Sequence, residues 1–418
     1  MRWSMEANRT LLQLASICVV MTARAYARIG HYFGTATIEQ RLWRLNMKGK
    51  PVIPPVYQTA TYYFDKSDDM IDVVQNRNGY IYSRWDNPSV RDTEDRLAEL
   101  EGYAHALGFG SGMAAITTAI LPHVKAGDRI VAIRETYGGT FELLNNVLPA
   151  FNVETSFFNC WDLPGLLKAI ADGLAVLYLE TPTNPLLRVV DVVPLVEAAH
   201  AMGALVLLDS TFATPINQHP VDWGVDVVLH SATKYLGGHH DLTAGMLCCS
   251  PDAFEKIWDY RKILGGVMDP MTAFLISRGL RTLPLRVRQH NHNAMRIAEY
   301  LAGQGKVRQV FYPGLASHPD HDIACKQMQG FGGMLSFELD ADFDVTKQFM
   351  DCLGTIKLAT SLGGVTSLAN QPVTNTHVAL NPSERHKAGV SESLIRLSVG
   401  IEDTDHLIAD LEQAFDKI

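Results

Sequence analysis

The chain has 418 residues, of which 47% are hydrophobic and 19% charged, and its formal net charge is −9. This length and apolar content suffice for a large buried core and predict two or three domains. The acidic balance provides no basic excess to attract nucleic-acid phosphates, so we expect no nucleic acid as a partner. The six cysteines form no C-x-x-C pair, which fits free thiols in a reducing compartment and predicts a cytoplasmic protein.

The N-terminal segment carries an apolar run at residues 11–23 that is followed by an Ala-Tyr-Ala sequence. A secretory signal is one interpretation, although Glu6 and Arg24 are placed unfavourably for one. A transit segment, or a start extended upstream, is the alternative. The run is too short to span a bilayer, so we expect no membrane partner. We predict an N-terminal arm over residues 1–85, with a targeting or disordered segment at 1–46.

Short apolar runs alternate with helix-like stretches after the arm, and each run is nearly continuous, as in strands buried on both faces of a parallel sheet. The predicted strands are residues 129–133, 175–179, 204–208 and 225–229. A helix is predicted over residues 194–202, with Gly203 as its stop. The βαβ pattern predicts an α/β fold with a mostly parallel sheet, forming a large domain at residues 86–284.

The sequence pattern changes after residue 285, where helices and strands no longer alternate regularly. We predict helices over residues 289–301 and 406–415 and strands over residues 334–339 and 394–399. This arrangement indicates a smaller α+β domain at the C-terminus, over residues 285–418.

Polar residues follow the predicted strands, namely Glu180, Asp209 and the pair His230-Ser231. Any one of them is explained by a strand ending in a polar loop. In open α/β sheets, however, ligands bind beyond the carboxyl ends of the strands. Together these residues therefore predict one site at that edge of the sheet.

Lys234 lies just past a predicted buried strand, in the sequence Ser-Ala-Thr-Lys-Tyr-Leu-Gly-Gly-His at 231–239. A buried ammonium group is costly unless it is paired or neutralised. A Schiff base with an aldehyde such as pyridoxal phosphate (PLP) removes this cost. The hydroxyls of Ser231 and Thr233 could then hydrogen-bond the phosphate group. An ordinary surface lysine is the alternative that the S-x-T-K pattern alone would favour, and the longer sequence string is more specific.

Asp209 precedes Lys234 by one βα-length segment and would face the same pocket from the next strand. A buried carboxylate keeps the pyridine nitrogen of PLP protonated, which the cofactor requires as an electron sink. A helix-capping or turn aspartate is the alternative. Arg396 also stands out inside an apolar predicted strand, because a buried arginine requires a carboxylate partner.

A glycine-rich sequence, Gly-Phe-Gly-Ser-Gly-Met at 108–113, precedes a predicted helix over residues 114–121. Backbone N–H groups at such a helix start can bind a phosphate. The dinucleotide-binding pattern would require glycine at 113, where the chain has Met113, so NAD is disfavoured. A plain glycine-rich turn is the remaining alternative.

At these residues the chain resembles the PLP-dependent enzymes of cysteine and methionine metabolism, from about Pro51 to Ile418. That family includes cystathionine γ-lyase, cystathionine γ-synthase, methionine γ-lyase and the O-acetylhomoserine sulfhydrylases. The matching sequences are PPVYQTATY at 54–62, YSR at 82–84, GSGM at 110–113, YGGT at 137–140, ETPTNP at 180–185, DSTFATP at 209–215, SATKYLGGH at 231–239, SLGG at 361–364 and LIRLSVGIED at 394–403.

The resemblance implies a fold-type-I, aminotransferase-like fold and a homotetramer built as a dimer of dimers, with each active site at a dimer interface. It implies catalytic roles for Lys234, Asp209 and Tyr137, with the Tyr137 ring stacked on the cofactor. The implied cofactor-binding residues are Tyr82, Arg84, Gly112, Met113, Tyr137, Asn184, Asp209, Ser231, Thr233 and Lys234, of which Tyr82 and Arg84 reach from the neighbouring subunit. The implied substrate-binding residues are Tyr82, Asn184, Ser361, Thr366 and Arg396, with Arg396 on the α-carboxylate.

A metal site is not expected. His318, Asp320, His321 and Asp322 resemble metal ligands, but the family has a similar surface segment without a metal. Cys248-Cys249 follows an apolar stretch and is predicted to lie in the core.

Two departures from the family bear on the substrate. Residues 137–140 read Tyr-Gly-Gly-Thr, whereas methionine γ-lyases have a sequence similar to Tyr-Gly-Cys-Thr, so Gly139 replaces the cysteine. Thr366 occupies a position where cystathionine enzymes commonly carry a glutamate. We therefore expect a γ-lyase of broad or unusual specificity, acting on methionine, homocysteine, cystathionine or an analogue and releasing a 2-oxobutanoate-type product and ammonia. The alternative is a γ-replacement synthase acting on an O-acylated homoserine. An aminotransferase and a PLP-binding protein without turnover are further alternatives.

Overall fold

The structure is a computed structural model that describes residues 51–374 and 389–418. The apolar run at 11–23 and the targeting segment predicted over residues 1–46 lie outside these residues. Among the described residues, no helix is both long and apolar enough to cross a membrane.

The larger sheet has seven strands in the order β1-β7-β6-β5-β4-β2-β3. The strands are β1 (His105–Phe109), β2 (Arg129–Ile133), β3 (Glu154–Phe158), β4 (Val176–Glu180), β5 (Leu205–Asp209), β6 (Val227–His230) and β7 (Gly245–Cys249). Only β7 runs antiparallel to its neighbours in this sheet. The mostly parallel sheet predicted from the sequence is therefore confirmed. Cys248 and Cys249 lie in β7 and are fully buried, as predicted.

The ends of three predicted strands differ from the structure by one or two residues. Glu180, Asp209 and His230 are the last residues of β4, β5 and β6, whereas the sequence placed them just after those strands. The reason is backbone pairing, which continues to the register pair Glu180 and Asp209 whatever the polarity of their side chains. Their side chains are thereby fixed by the sheet itself.

Helices cover both faces of this sheet. The helices of this part of the chain, including one in the N-terminal segment, are α1 (Ser67–Asn76), α2 (Pro88–Glu101), α3 (Gly112–Ile120), α4 (Gly138–Glu142), α5 (Leu163–Ala171), α6 (Val192–Ala201), α7 (Thr214–Asn217), α8 (Pro251–Leu264) and α9 (Pro270–Ala302). Alternate residues of each strand pack to opposite sides: Tyr178 joins the core beneath α3, and Leu179 joins the core beneath α5 and α6. The sheet therefore has a buried core on each face.

Helix α9 connects the two parts of the fold. It begins at Asp269, whose side chain accepts hydrogen bonds from Met271 N and Thr272 N, and it continues through Pro284. The helix predicted over residues 289–301 is the C-terminal part of α9. The predicted boundary between the two domains, at residues 284–285, stays a prediction and falls within α9. Ile276 packs in the core beside the large sheet, while Ile297 packs in that of the small one.

The second sheet has five strands in the order β10-β11-β12-β9-β8. Its elements are β8 (Val307–Phe311), α10 (His321–Gln327), β9 (Met334–Leu339), α11 (Phe343–Asp351), β10 (Lys357–Leu358), β11 (Leu368–Asn370), β12 (Leu394–Ser398) and α12 (Thr404–Phe415). The predicted strands at 334–339 and 394–399 and the closing helix are confirmed within one or two residues. Strand β12 carries Arg396, the arginine singled out in the sequence.

Candidate active site

Lys234 lies in the turn after β6, at the carboxyl edge of the large sheet. Its Nζ donates a hydrogen bond of 2.7 Å to Ser361 Oγ, which approaches from the second part of the fold. Burial, aided by the positive charge of Arg396, lowers the pKa of Lys234 from 10.5 to about 8. A substantial fraction of this amine is therefore uncharged just above neutral pH, the form that attacks an aldehyde.

Arg396 is 3% exposed and is held from two sides. Its Nη1 donates to Asn184 Oδ1 at 3.1 Å, and its Nη2 donates to Ser361 O at 3.2 Å. Its Nε is buried and has no hydrogen-bond partner among the described residues. Burial lowers the pKa of Arg396 to about 10. A buried donor without a partner is costly, so this guanidinium is suited to a bound carboxylate.

Asp209 ends β5 and is 6% exposed. Its Oδ1 accepts a hydrogen bond of 2.9 Å from Thr211 N, and Thr211 Oγ1 accepts one of 2.9 Å from Ser231 N. Burial raises the pKa of Asp209, and its hydrogen bonds to Thr211 oppose this rise. A protonated ring nitrogen would supply the positive charge that this buried carboxylate lacks.

Glu180 lies beside Asp209, because the two residues are paired in the register of β4 and β5. Its Oε2 accepts a hydrogen bond of 2.7 Å from Tyr137 N. The Tyr137 side chain is about half exposed, at the start of α4. A Cβ atom at Gly139 would lie 2.8 Å from Tyr137 Cε1 and 3.0 Å from Met113 Sδ, so a side chain here would require the ring or the thioether to shift.

The start of α3 lies against the loop that carries Lys234. Ser111 caps the helix, accepting a hydrogen bond of 3.1 Å from Ala114 N. A Cβ atom at Gly112 would lie 3.2 Å from Ser231 Cβ, so the missing side chain lets the Lys234 loop approach the helix start. Free N–H groups at a helix start favour an anion there. Gly112 and Ser231 thus lie together, with Met113 next to Gly112 in the chain, and their binding of a phosphate stays a prediction.

Thr233 is placed less favourably for phosphate binding. Its Oγ1 donates to Ala244 O at 3.1 Å and accepts from Ala244 N at 2.9 Å. A hydroxyl has one hydrogen to donate, so a phosphate would have to compete with Ala244 for it. The sequence string gave no sign of this competing contact.

Tyr82, Arg84 and Thr366 make no hydrogen bond to another predicted site residue within the described part of the chain. Tyr82 and Arg84 are both exposed; Arg84 Nη1 donates to Lys262 O, and its guanidinium lies 5.4 Å from the Tyr82 ring centre. Thr366 is half-buried in the loop before β11. The roles assigned to all three remain predictions.

The sequence pattern placed Glu180 at this edge of the sheet without giving it a role, and it did not single out Thr211. Both carried a signal, since each is a polar residue at or just past the end of a buried strand and lies in a family-like sequence. Their contacts with Tyr137 and Asp209 depend on backbone positions that the pattern does not specify.

Asp320, one of the four residues that resemble metal ligands, makes an ion pair with Arg188. The Asp320 carboxylate accepts two hydrogen bonds from the Arg188 guanidinium, of 2.5 and 2.8 Å, and one of 3.0 Å from Val189 N. Within residues 51–374 and 389–418, no group of three or more His, Cys, Asp or Glu side chains is arranged to hold a metal ion.

The groups present fit PLP: a lysine of lowered pKa for its aldehyde, a buried carboxylate for its ring nitrogen, and a helix start opened by Gly112 for its phosphate. On a mostly parallel sheet with a second, smaller sheet, they define the class of fold-type-I PLP-dependent enzymes.

The sequence matches, over residues 36–416, the family described as Cys/Met metabolism PLP-dependent enzyme, and the chain belongs to this family. It is 40% identical over 369 residues to the chloroplastic cystathionine gamma-synthase 1 of Arabidopsis thaliana, covering 88% of this chain and 66% of that relative. The chain thus spans just under two thirds of the length of the plant protein. It is also 40% identical to the L-methionine gamma-lyase of Fusobacterium nucleatum, covering 87% of this chain and 93% of the relative.

Solved structures show the same fold. Cystathionine gamma-lyase from Lactobacillus plantarum, complexed with L-serine, superposes with a TM-score of 0.81 at 40% identity, covering 87% of this chain and 93% of that one. Cystathionine gamma synthase from Xanthomonas oryzae pv. oryzae, in complex with cystathionine, gives a TM-score of 0.84 at 37% identity, covering 92% and 99% of the two chains.

Proposed function

We propose that the chain is a PLP-dependent γ-lyase that removes the γ-substituent of methionine, homocysteine, cystathionine or a related amino acid. The observation that carries the proposal is the buried Arg396 Nε, which has no partner among the described residues and belongs to a side chain that contacts Ser361. Lys234 contacts the same serine. An amino acid whose α-carboxylate is held by Arg396 therefore has its Cα near an amine that can accept a proton.

The residues divide the reaction between them. Bound PLP supplies the electron sink that stabilises negative charge at Cα. Arg396 and Asn184 orient the substrate carboxylate, and Lys234, once its amine is free, removes the Cα proton and then a Cβ proton. Tyr137 donates a proton to the leaving group as the bond from Cγ to sulfur breaks, with Tyr82 of a neighbouring copy as the alternative donor. Return of a proton to Cγ and tautomerisation then give an imine, which water hydrolyses to 2-oxobutanoate and ammonia.

Replacement at Cγ is the alternative, since the same residues serve it until a nucleophile adds in place of water. Thr366 favours elimination of a smaller or less charged substituent, because it has no carboxylate for the distal ammonium of cystathionine. Relatives of both kinds are similar to this chain, including the gamma-synthase of Arabidopsis thaliana and the gamma-lyase of Fusobacterium nucleatum.

We also propose a homotetramer, built as a dimer of dimers, in the cytoplasm. Helix α1 has no buried residue, and its apolar side chains Met70, Ile71 and Val74 are about half exposed. A second copy of the chain would cover this surface and would receive Tyr82 and Arg84. All the cysteines in the described ranges are free thiols, which supports a reducing compartment.

The test incubates the purified, cofactor-loaded protein with methionine, homocysteine, cystathionine and O-acetylhomoserine, each with and without an added thiol. The proposal expects 2-oxobutanoate and ammonia without the thiol. A new amino acid that forms only with the thiol would instead establish γ-replacement.

A variant tests the specificity argument. Thr366→Glu should raise kcat/KM for cystathionine relative to methionine by about tenfold, because a carboxylate near the distal ammonium adds one charged hydrogen bond. Thr366→Gln is the uncharged control and should give a smaller change. An equal effect of both variants would contradict the role given to this position.

A further inference from the structure

Glu180 and Asp209 are two carboxyl groups side by side at the edge of the large sheet. They are a register pair of adjacent parallel strands, so their side chains leave the sheet on the same face. Both residues are at most 6% exposed. Asp209 would hold the ring nitrogen of the cofactor, whereas the second buried acid has no role in the proposed reaction.

Glu180 makes one specific contact within the described residues, with the backbone of Tyr137. Its Oε2 accepts a hydrogen bond of 2.7 Å from Tyr137 N, across 43 positions of the chain. Tyr137 immediately precedes the short helix α4, and its side chain is 48% exposed. Its hydroxyl has no hydrogen-bond partner in the described parts of the chain, so the Glu180 contact is the polar link that holds this residue to the sheet.

The hydrogen bond from Tyr137 N does not require Glu180 to be ionised. Burial raises the pKa of Glu180 well above its ordinary value, and the negative charge of Asp209 raises it further, against the effect of the Tyr137 N–H. A neutral carboxyl group still accepts the Tyr137 N–H hydrogen bond.

We propose that Glu180 is a positioning residue that holds the Tyr137 backbone, and so the Tyr137 ring, where the ring can donate its proton to the leaving group. The effect on proton donation to the leaving group rests on the proposed function. The hydrogen bond from Tyr137 N to Glu180 Oε2 can be tested separately, because amide hydrogen exchange reports it without any turnover of substrate.

The first experiment follows amide hydrogen exchange at Tyr137 in the cofactor-free protein. Glu180→Gln keeps an acceptor oxygen and should leave the exchange rate within about threefold of the original, while Glu180→Leu should speed it at least about tenfold. Glu180→Asp shortens the side chain by one carbon and should behave like leucine, which covers the case of a leucine variant that fails to fold. Equal exchange rates in all variants would overturn the proposal.

The second experiment is a double-mutant cycle on cofactor-loaded protein with the best substrate. Glu180→Leu should lower kcat by about tenfold to a hundredfold with little change in KM, and Glu180→Gln should stay within about threefold. Added to Tyr137→Phe, the leucine change should cost no more than about threefold further, because Glu180 acts through Tyr137. Fully additive losses would overturn the proposal. If the unmodified protein turned over no substrate, the proposed function would fail, while the exchange experiment would still decide the role of Glu180.

Discussion

Lys234 Nζ and Ser361 Oγ lie 2.7 Å apart, although 127 positions separate the two residues in the chain. Ser361 adopts φ +76°, a left-handed conformation that is costly for a residue with a side chain. Such a cost persists only where the surrounding structure imposes it. Here it places one hydroxyl on the amine of Lys234 and one carbonyl on Arg396.

Two replacements of Ser361 distinguish the effect of its hydroxyl on catalysis from the effect of its left-handed backbone on stability. Ser361→Ala and Ser361→Gly both remove the hydrogen bond to Lys234, and we expect each to lower kcat about tenfold, the value of one hydrogen bond to a charged group. Only glycine relieves the left-handed backbone, so Ser361→Gly should be more stable than Ser361→Ala by about 1 kcal/mol. Steady-state kinetics and thermal unfolding measure the two effects. Unchanged kcat in both variants would show that the hydroxyl plays no part.

Arg396→Lys should raise KM for the amino-acid substrate about a hundredfold, because lysine keeps the charge but loses the forked geometry that holds a carboxylate. Arg286→Lys is the matched control. Arg286 is also buried, but its guanidinium donates to Tyr235 O at 2.8 Å and to Gly279 O at 2.7 Å. The control should lower the melting temperature while leaving KM within about twofold. Similar KM changes in both variants would remove the evidence for a specific substrate contact.

Lys234 should destabilise the cofactor-free protein at neutral pH. Its pKa is lowered from 10.5 to about 8 by burial, so between these values the unfolded chain binds more protons than the folded one and stability rises with pH. The cost is fully present below about 8 and is gone above 10.5. Lys234→Met should therefore stabilise the cofactor-free protein near neutral pH, by roughly 1–3 kcal/mol, and this gain should vanish as the pH rises through that window.

Denaturant unfolding at several pH values measures this difference. Replacement of the exposed Lys125 by methionine controls for the loss of a lysine elsewhere on the chain. A Lys234→Met protein that is no more stable than the original near neutral pH would contradict the account.

Subunit mixing tests whether Arg84 acts in a neighbouring active site. Lys234→Ala and Arg84→Ala proteins should each be nearly inactive, but in a mixed dimer one site carries both changes and the other carries neither. Random mixing of equal amounts, after dissociation and reassembly, should therefore recover about a quarter of the original activity. Recovery is measured by 2-oxobutanoate release. No recovery, with mixed dimers shown to form, would place Arg84 in the active site of its own chain or outside any site.

The strands around the site could be predicted because both faces of the large sheet are buried, which leaves continuous apolar runs such as that of β5. Lys234 and Asp209 could be found because a polar residue at the end of such a run meets its neighbours at one edge. These signals are local, and they report burial along a single segment.

The remaining features depend on contacts between distant segments. Asn184 and Arg396 are 212 positions apart, and their hydrogen bond exists because β12 of the second sheet approaches the loop after β4. The passage of α9 through Pro284 shows that packing along a 33-residue helix can outweigh a residue that usually ends one. No pattern within one segment specifies such contacts.

The assignment of Lys234 as the residue that binds PLP is tested most directly by finding which amine carries the cofactor. Cofactor-loaded protein is reduced with borohydride, which fixes PLP to whichever amine it has condensed with, and is then digested and analysed by mass spectrometry. The account predicts that the cofactor is attached to the peptide containing Lys234, and that the Lys234→Ala protein gives neither this adduct nor the visible absorption of the original protein. Attachment to a different lysine in the original protein, or an unchanged visible spectrum in the Lys234→Ala protein, would contradict it.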